Sequence, residues 1–248
     1  MGRPLRVTLG GYAYHVLNRG NGRMRLFHKQ ADYEAFGRIL AEALQHVPGM
    51  RLCAYCLMPN HWHLLLWPRR DGELSDFGHW LALTHTQRWR ARYHNVGLGH
   101  LYQGRFKSFL VEADSHYLTV CRYVERNALR AGLVGRAEDW QWGSLWRRQE
   151  RTQTMPELLH DGPVVLPANW TSVVNRPQTE AELTALRRSV QRGQPFGDEE
   201  WVQRMAERLG LQSTLRPRGR PRKAPAREGD SSKKGSRHLF FSRSNESF

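Results

Sequence analysis

Residues 50–67 constrain the fold most. Runs 50–57 and 61–67 are short, apolar and β-favouring, and only Met58-Pro59-Asn60 separates them. That adjacency predicts a hairpin. Residues i and i+2 of a strand share a face, so His61 and His63 point together while Trp62 points to the opposite side and fills the core. Two imidazoles side by side on a rigid element are half of a metal site. What completes it must come from elsewhere in the chain.

The rest of the pattern supplies the frame. Residues 11–17 read as a first strand, closed by the turn-like Asn18-Arg19-Gly20-Asn21-Gly22. Apolar residues at three- and four-residue spacings predict a helix over 32–46, ended by Pro48-Gly49. A second helix is expected over 74–93, with Phe77, Trp80, Leu81, Thr84 and Trp89 inward, and a fourth strand over 105–112. Asp114 and Ser115 can cap a third helix to about residue 130, which Gly132 ends. The order strand, helix, strand, strand, helix, strand, helix is that of an α+β domain. It has a ferredoxin-like antiparallel sheet (split βαβ) and one added helix. Trp140, Trp142 and Trp146 suggest a flap packed back on it.

Four regions are expected: a catalytic domain at 1–148, a linker at 149–177, an accessory helical segment at 178–215 and a disordered basic tail at 216–248. Thr179 with Glu182 forms a capping-box pattern, and Asp198 can cap a further helix. The formal net charge is +15, and residues 216–248 hold ten Lys/Arg against three Asp/Glu. Such a balance favours polyanions, nucleic acid above all. In the tail, Pro217-Arg218-Gly219-Arg220-Pro221 resembles an AT-hook core, in which Arg218 and Arg220 would enter the minor groove of AT-rich duplex. The same residues also suit a solvated basic tail. No run reaches the roughly 18 apolar residues of a membrane span. Three cysteines make no disulfide framework, so a cytoplasmic, soluble protein is expected.

Two candidate chemistries use the histidines. Tyr123 and Asn127 are four apart, hence on one helical face, with His116 and Arg130 near the same stripe. A carboxamide oxygen is a reasonable third ligand beside two imidazoles. A phenol of pKa about 10 needs a polarised phosphate to attack at neutral pH. Taken alone, Tyr123 equally suits a half-buried core position. The rival is a zinc-binding nucleic-acid module using Cys53, Cys56, His61 and His63. Against it, Cys53 and Cys56 are three apart in a strand-like run and should face opposite ways.

Three stretches narrow this further: Met58-Pro59-Asn60-His61-Trp62-His63, Gln103-Gly104-Arg105-Phe106-Lys107, and Arg122-Tyr123-Val124-Glu125-Arg126-Asn127 followed by Arg130-Ala131-Gly132-Leu133-Val134. In this order and spacing they resemble the single-tyrosine HUH transposases, in particular the REP-associated tyrosine transposases, over residues 5 to about 148. The resemblance implies that His61 and His63 bind a divalent cation, Mg²⁺ or Mn²⁺, that Asn127 completes the coordination, and that Tyr123 is the nucleophile. It implies cleavage and strand transfer of single-stranded DNA near a hairpin, through a 5′-phosphotyrosine link, by a monomer. Arg105 and Lys107, alternating on the fourth strand, would contact the DNA. Ala128 departs from the proline common in relatives but touches no proposed catalytic atom. A DNA- or RNA-binding regulator that has lost catalysis is the competing reading on the same scaffold.

Overall fold

The computed structural model describes residues 8–94, 97, 99–150 and 158–216. Four strands, β1 (Ala13–Arg19), β2 (Met50–Met58), β3 (His61–Pro68) and β4 (Lys107–Val111), form one sheet in the order β2-β3-β1-β4, with every pairing antiparallel. The helices α1 (Gln30–His46) and α2 (Glu73–Tyr93) are the crossovers of the split βαβ pattern. The expected α+β, ferredoxin-like frame is the observed one.

Alternation along the strands divides the core in two. Tyr14, Val16, Trp62, Leu64 and Leu66 pack against α1 and α2. Ala13, Cys56, Leu65, Phe109 and Val111 face the opposite layer, led by α3 (Ser115–Glu125). Trp62 is fully buried on the first side, where its indole donates to the Tyr102 hydroxyl at 3.0 Å. That hydroxyl also bonds His85 Nδ1 at 2.6 Å. A glycine inside α2 carries a helix-propensity cost. At Gly78 the reason is space, since a Cβ there would meet the Phe106 ring at 2.2 Å.

The third helix differs from expectation. It stops at Glu125, Arg126 has φ −83° and ψ −3°, and a short α4 (Asn127–Arg130) follows. Asn127 Nδ2 donates to the Tyr123 carbonyl at 2.8 Å, taking the acceptor that a continuing helix would offer the Asn127 N–H. Gly132, at φ +67°, ends the segment. The tryptophan stretch does pack back: Trp142 O accepts from Leu57 N at 2.9 Å, and Trp140 Nε1 donates to Leu57 O at 3.0 Å. The short α5 (Ser144–Gln149) follows.

The stretch expected as a linker includes α6 (Trp170–Asn175), with Trp170 and Val174 buried. Beyond it lie α7 (Glu180–Arg192), α8 (Glu199–Arg208) and α9 (Gln212–Leu215). The Thr179–Glu182 capping box and the Asp198 cap both form. Phe196 joins the sheet margin: its N–H donates to Leu110 O at 2.8 Å and its carbonyl accepts from Glu112 N at 2.9 Å. Arg218, Arg220 and the AT-hook-like stretch lie outside the described residues. No described helix is long and apolar enough to cross a membrane.

Candidate active site

Directly opposed residues in an antiparallel sheet share a face, so the strand register arranges the site in rows. Met58, His61 and Arg19 form one row, and Cys56, His63, Leu17 and Lys107 form the next. A third holds Leu65, His15 and Phe109. All face α3. The His61 and His63 ring centroids are 5.0 Å apart, and Tyr123 stands edge-on to His63 with centroids at 5.8 Å. The expected pair and the expected tyrosine therefore pack together between the sheet and α3.

His15 joins them. It is 1% exposed, its Nε2 lies 2.8 Å from His63 Nδ1, and its ring is 5.9 Å from that of Tyr123. Sequence reasoning placed His15 on a strand without giving it a role. The signal was available in the alternation, which puts His15 on the face opposite Tyr14 and Val16.

Burial and nearby guanidiniums hold the imidazoles neutral. Desolvation, then Arg19 and Arg130, lowers the His61 pKa to about 4. His63 is pushed well below its ordinary value by burial first, then by His15, His61, Arg130 and Arg19. His15 falls to about 3 through burial and Arg130. A neutral imidazole has one lone pair for a cation. His61 Nδ1 bonds Asn60 Oδ1 at 2.6 Å, which makes Nδ1 the protonated nitrogen and leaves the lone pair on Nε2. His63 presents its Nε2 lone pair when Nδ1 donates and His15 Nε2 accepts. The donor set fits a divalent cation of the Mn²⁺ or Mg²⁺ kind, with imidazole favouring Mn²⁺.

Asn127 is 2% exposed, and its Oδ1 accepts from Arg130 Nη2 at 2.6 Å. Its amide is engaged on both sides, since Nδ2 donates to the Tyr123 carbonyl. The Arg130 guanidinium carbon lies 4.3 Å from the Tyr123 ring centroid. For the Tyr123 hydroxyl no hydrogen-bond partner is found among the described residues. Tyr117, the next tyrosine on the helix, is 1% exposed and its phenol pKa is driven far up by burial. It suits the core rather than attack on a substrate.

Glu125 fixes this helix from behind. It is 2% exposed, accepts from Ser144 Oγ and Trp170 Nε1 at 2.6 Å each, and pairs with Arg148 Nε at 3.2 Å.

Other expected residues are placed as follows. Lys107 opens β4, exposed and in the His63 row, whereas Arg105 is exposed in the loop before that strand. His116 lies away from the pair, at the start of α3. There it groups with Glu112 and Asp114, whose ligand atoms lie within 4.8 Å of one another. That grouping has structural work: Asp114 caps α3 and Glu112 accepts from Asp198 N.

Cys53 and Cys56 do not face opposite ways, contrary to what their three-residue spacing predicts. A register shift between Leu52 and Ala54 turns Cys53, so Cys53 and Cys56 both face the α3 layer. Cys56 even opposes His63. Yet among the described residues the four do not gather as a metal-ligand cluster. Burial raises the thiols to about 11 for Cys53 and about 12 for Cys56, as suits packed, protonated side chains.

Comparison with known proteins gives a consistent result. Residues 8–127 match the family model described as "Transposase IS200 like". A solved REP-associated tyrosine transposase bound to a REP hairpin is 19% identical, with TM-score 0.50, covering 68% of this chain and 96% of its own. A Deinococcus radiodurans structure described provisionally as a transposase is 20% identical, with TM-score 0.36, covering 50% and 95%. Curated proteins give no match. At 19% identity the likeness to the REP-associated transposase structure speaks for the fold alone. Through residues 8–127, the chain is similar to the IS200-like transposase family.

Proposed function

We propose that the protein is a metal-dependent single-stranded DNA endonuclease and strand transferase of the REP-associated type, acting at hairpins through a 5′-phosphotyrosine intermediate. The observation that carries this reading is Tyr123 edge-on to His63 at 5.8 Å, over a strand face that also presents His61.

The Tyr123 oxygen would form a bond to phosphorus as the P–O3′ bond breaks. The phenol proton is lost to solvent and the departing 3′ oxygen gains one. The phosphodiester energy is kept in the link, so reverse attack can rejoin strands without a nucleotide cofactor. His61, His63 and Asn127 would hold the cation. A bound Mg²⁺ or Mn²⁺ would polarise the scissile phosphate and stabilise charge in the transition state. Arg105 and Lys107 would contact the DNA backbone, and Arg218 and Arg220 would add AT-rich duplex affinity. Tyr123 lies beside His63 of the same chain, an arrangement that a monomer acting in cis would use.

Incubation of a labelled single-stranded REP-type hairpin with the protein and Mn²⁺ should give a covalent adduct on a denaturing gel. Replacing His61 and His63 together with Ala should abolish it. Undiminished adduct in that variant would refute the metal site.

A further inference from the structure

Two arginines at the histidine pair have no anionic partner among the described residues. Arg19 ends β1 directly opposite His61, and its Nε is buried with no hydrogen-bond partner among the described residues. Arg130 reaches the same place from α4, bonded only to the neutral Asn127 amide and laid over the Tyr123 ring. Neither makes an ion pair with a described carboxylate, unlike Arg122 with Glu182 or Arg148 with Glu125. Both are close enough to bear electrostatically on His61 and His63.

A buried guanidinium donor without a partner is costly unless something binds there. Arg19 from the sheet and Arg130 from α4 set two guanidiniums beside the histidine pair. The geometry points to Arg19 and Arg130 as a two-sided clamp for one phosphodiester, taken up at the His61 end of the site, where Arg130 is exposed. Planar guanidiniums match phosphate oxygens in pairs, which a lysine cannot do. Arg19 would grip from the sheet and Arg130 from the helix that carries the tyrosine. On engaging the phosphate, Arg130 would loosen its hold on Asn127 Oδ1, freeing that oxygen. The assignment rests on the DNA-processing reading of the site, but its test does not use DNA.

Dimethyl phosphate titrated into the metal-free full-length protein, followed by ¹⁵N NMR of the arginine Nε–H groups, resolves these sites from the basic tail. Saturable shifts of Arg19 and Arg130 are expected. Arg19→Ala should weaken binding about tenfold, and Arg19→Lys should recover only part of it. Arg187→Ala, on an exposed helix face, should change nothing. Shifts that never saturate, or unchanged affinity in Arg19→Ala, would overturn the clamp. Phosphodiester binding without any DNA adduct would leave the clamp standing and sink the nuclease reading. Normal adduct formation with unaltered affinity in Arg19→Ala would do the reverse.

Discussion

At the scale of single residues, the site depends on which nitrogen of each histidine carries the proton. The Asn60 carbonyl settles this for His61, and His15 is positioned to settle it for His63. Partners of this kind typically change metal affinity 10–100-fold. His15→Leu should therefore weaken Mn²⁺ binding by about that factor in calorimetry, with His15→Gln intermediate because its amide can still accept. Equal affinity in the Leu variant would deny His15 a positioning role. The pair at 61 and 63 was legible because two-residue spacing fixes a shared face. His15 was harder to see, because its partner is 48 residues away and only the β1–β3 register joins them. Cys53 was misjudged because a register shift reorients a side chain and leaves no mark in an apolar run.

At the scale of elements, the α3–α4 segment holds Tyr123 against His15 and His63. Continuous helical spacing from 114 to 130 put Tyr123 and Asn127 on one stripe. The break at Arg126 was not legible, because it arises when the Asn127 side chain captures a backbone carbonyl. The buried Glu125 ties α3 to α5 and α6. Removing one partner of a buried pair leaves the other uncompensated, so Glu125→Ala should cost about 3–5 kcal/mol in urea denaturation. A loss below about 1 kcal/mol would mean that the hub is dispensable. Sequence also gave no hint that 170–175 would supply a buried tryptophan to this hub, since weak periodicity over 147–176 matched a linker.

At the scale of the whole molecule, burial of neutral histidines couples stability to pH. His15 and His85 are lowered to about 3 and His61 to about 4, and burial lowers His63 well below normal too. Unfolded, all four would titrate near 6.5. Between about pH 6.5 and 4 the unfolded chain therefore binds more protons than the folded one, so stability falls as pH falls. Each such proton contributes about 1.4 kcal/mol per pH unit. Urea midpoints of the metal-free protein should drop steeply from pH 7 to 5, and His85→Leu should flatten the slope. A midpoint constant over that range would contradict burial of the neutral rings. The sheet order was legible from the alternation of strand and helix signals. The pairing of Phe196 with the β4 margin was not, since no local pattern marks one residue for a bridge.

The central claim is that Tyr123 becomes covalently joined to DNA. Trypsin cuts after Lys107, Arg122 and Arg126, so Tyr117 and Tyr123 fall on different peptides. Mass spectrometry of the nuclease-trimmed adduct should find the deoxynucleotide 5′-phosphate on Tyr123, and Tyr123→Phe should yield no adduct. A modified Tyr117, or an adduct that persists in Tyr123→Phe, would contradict the account.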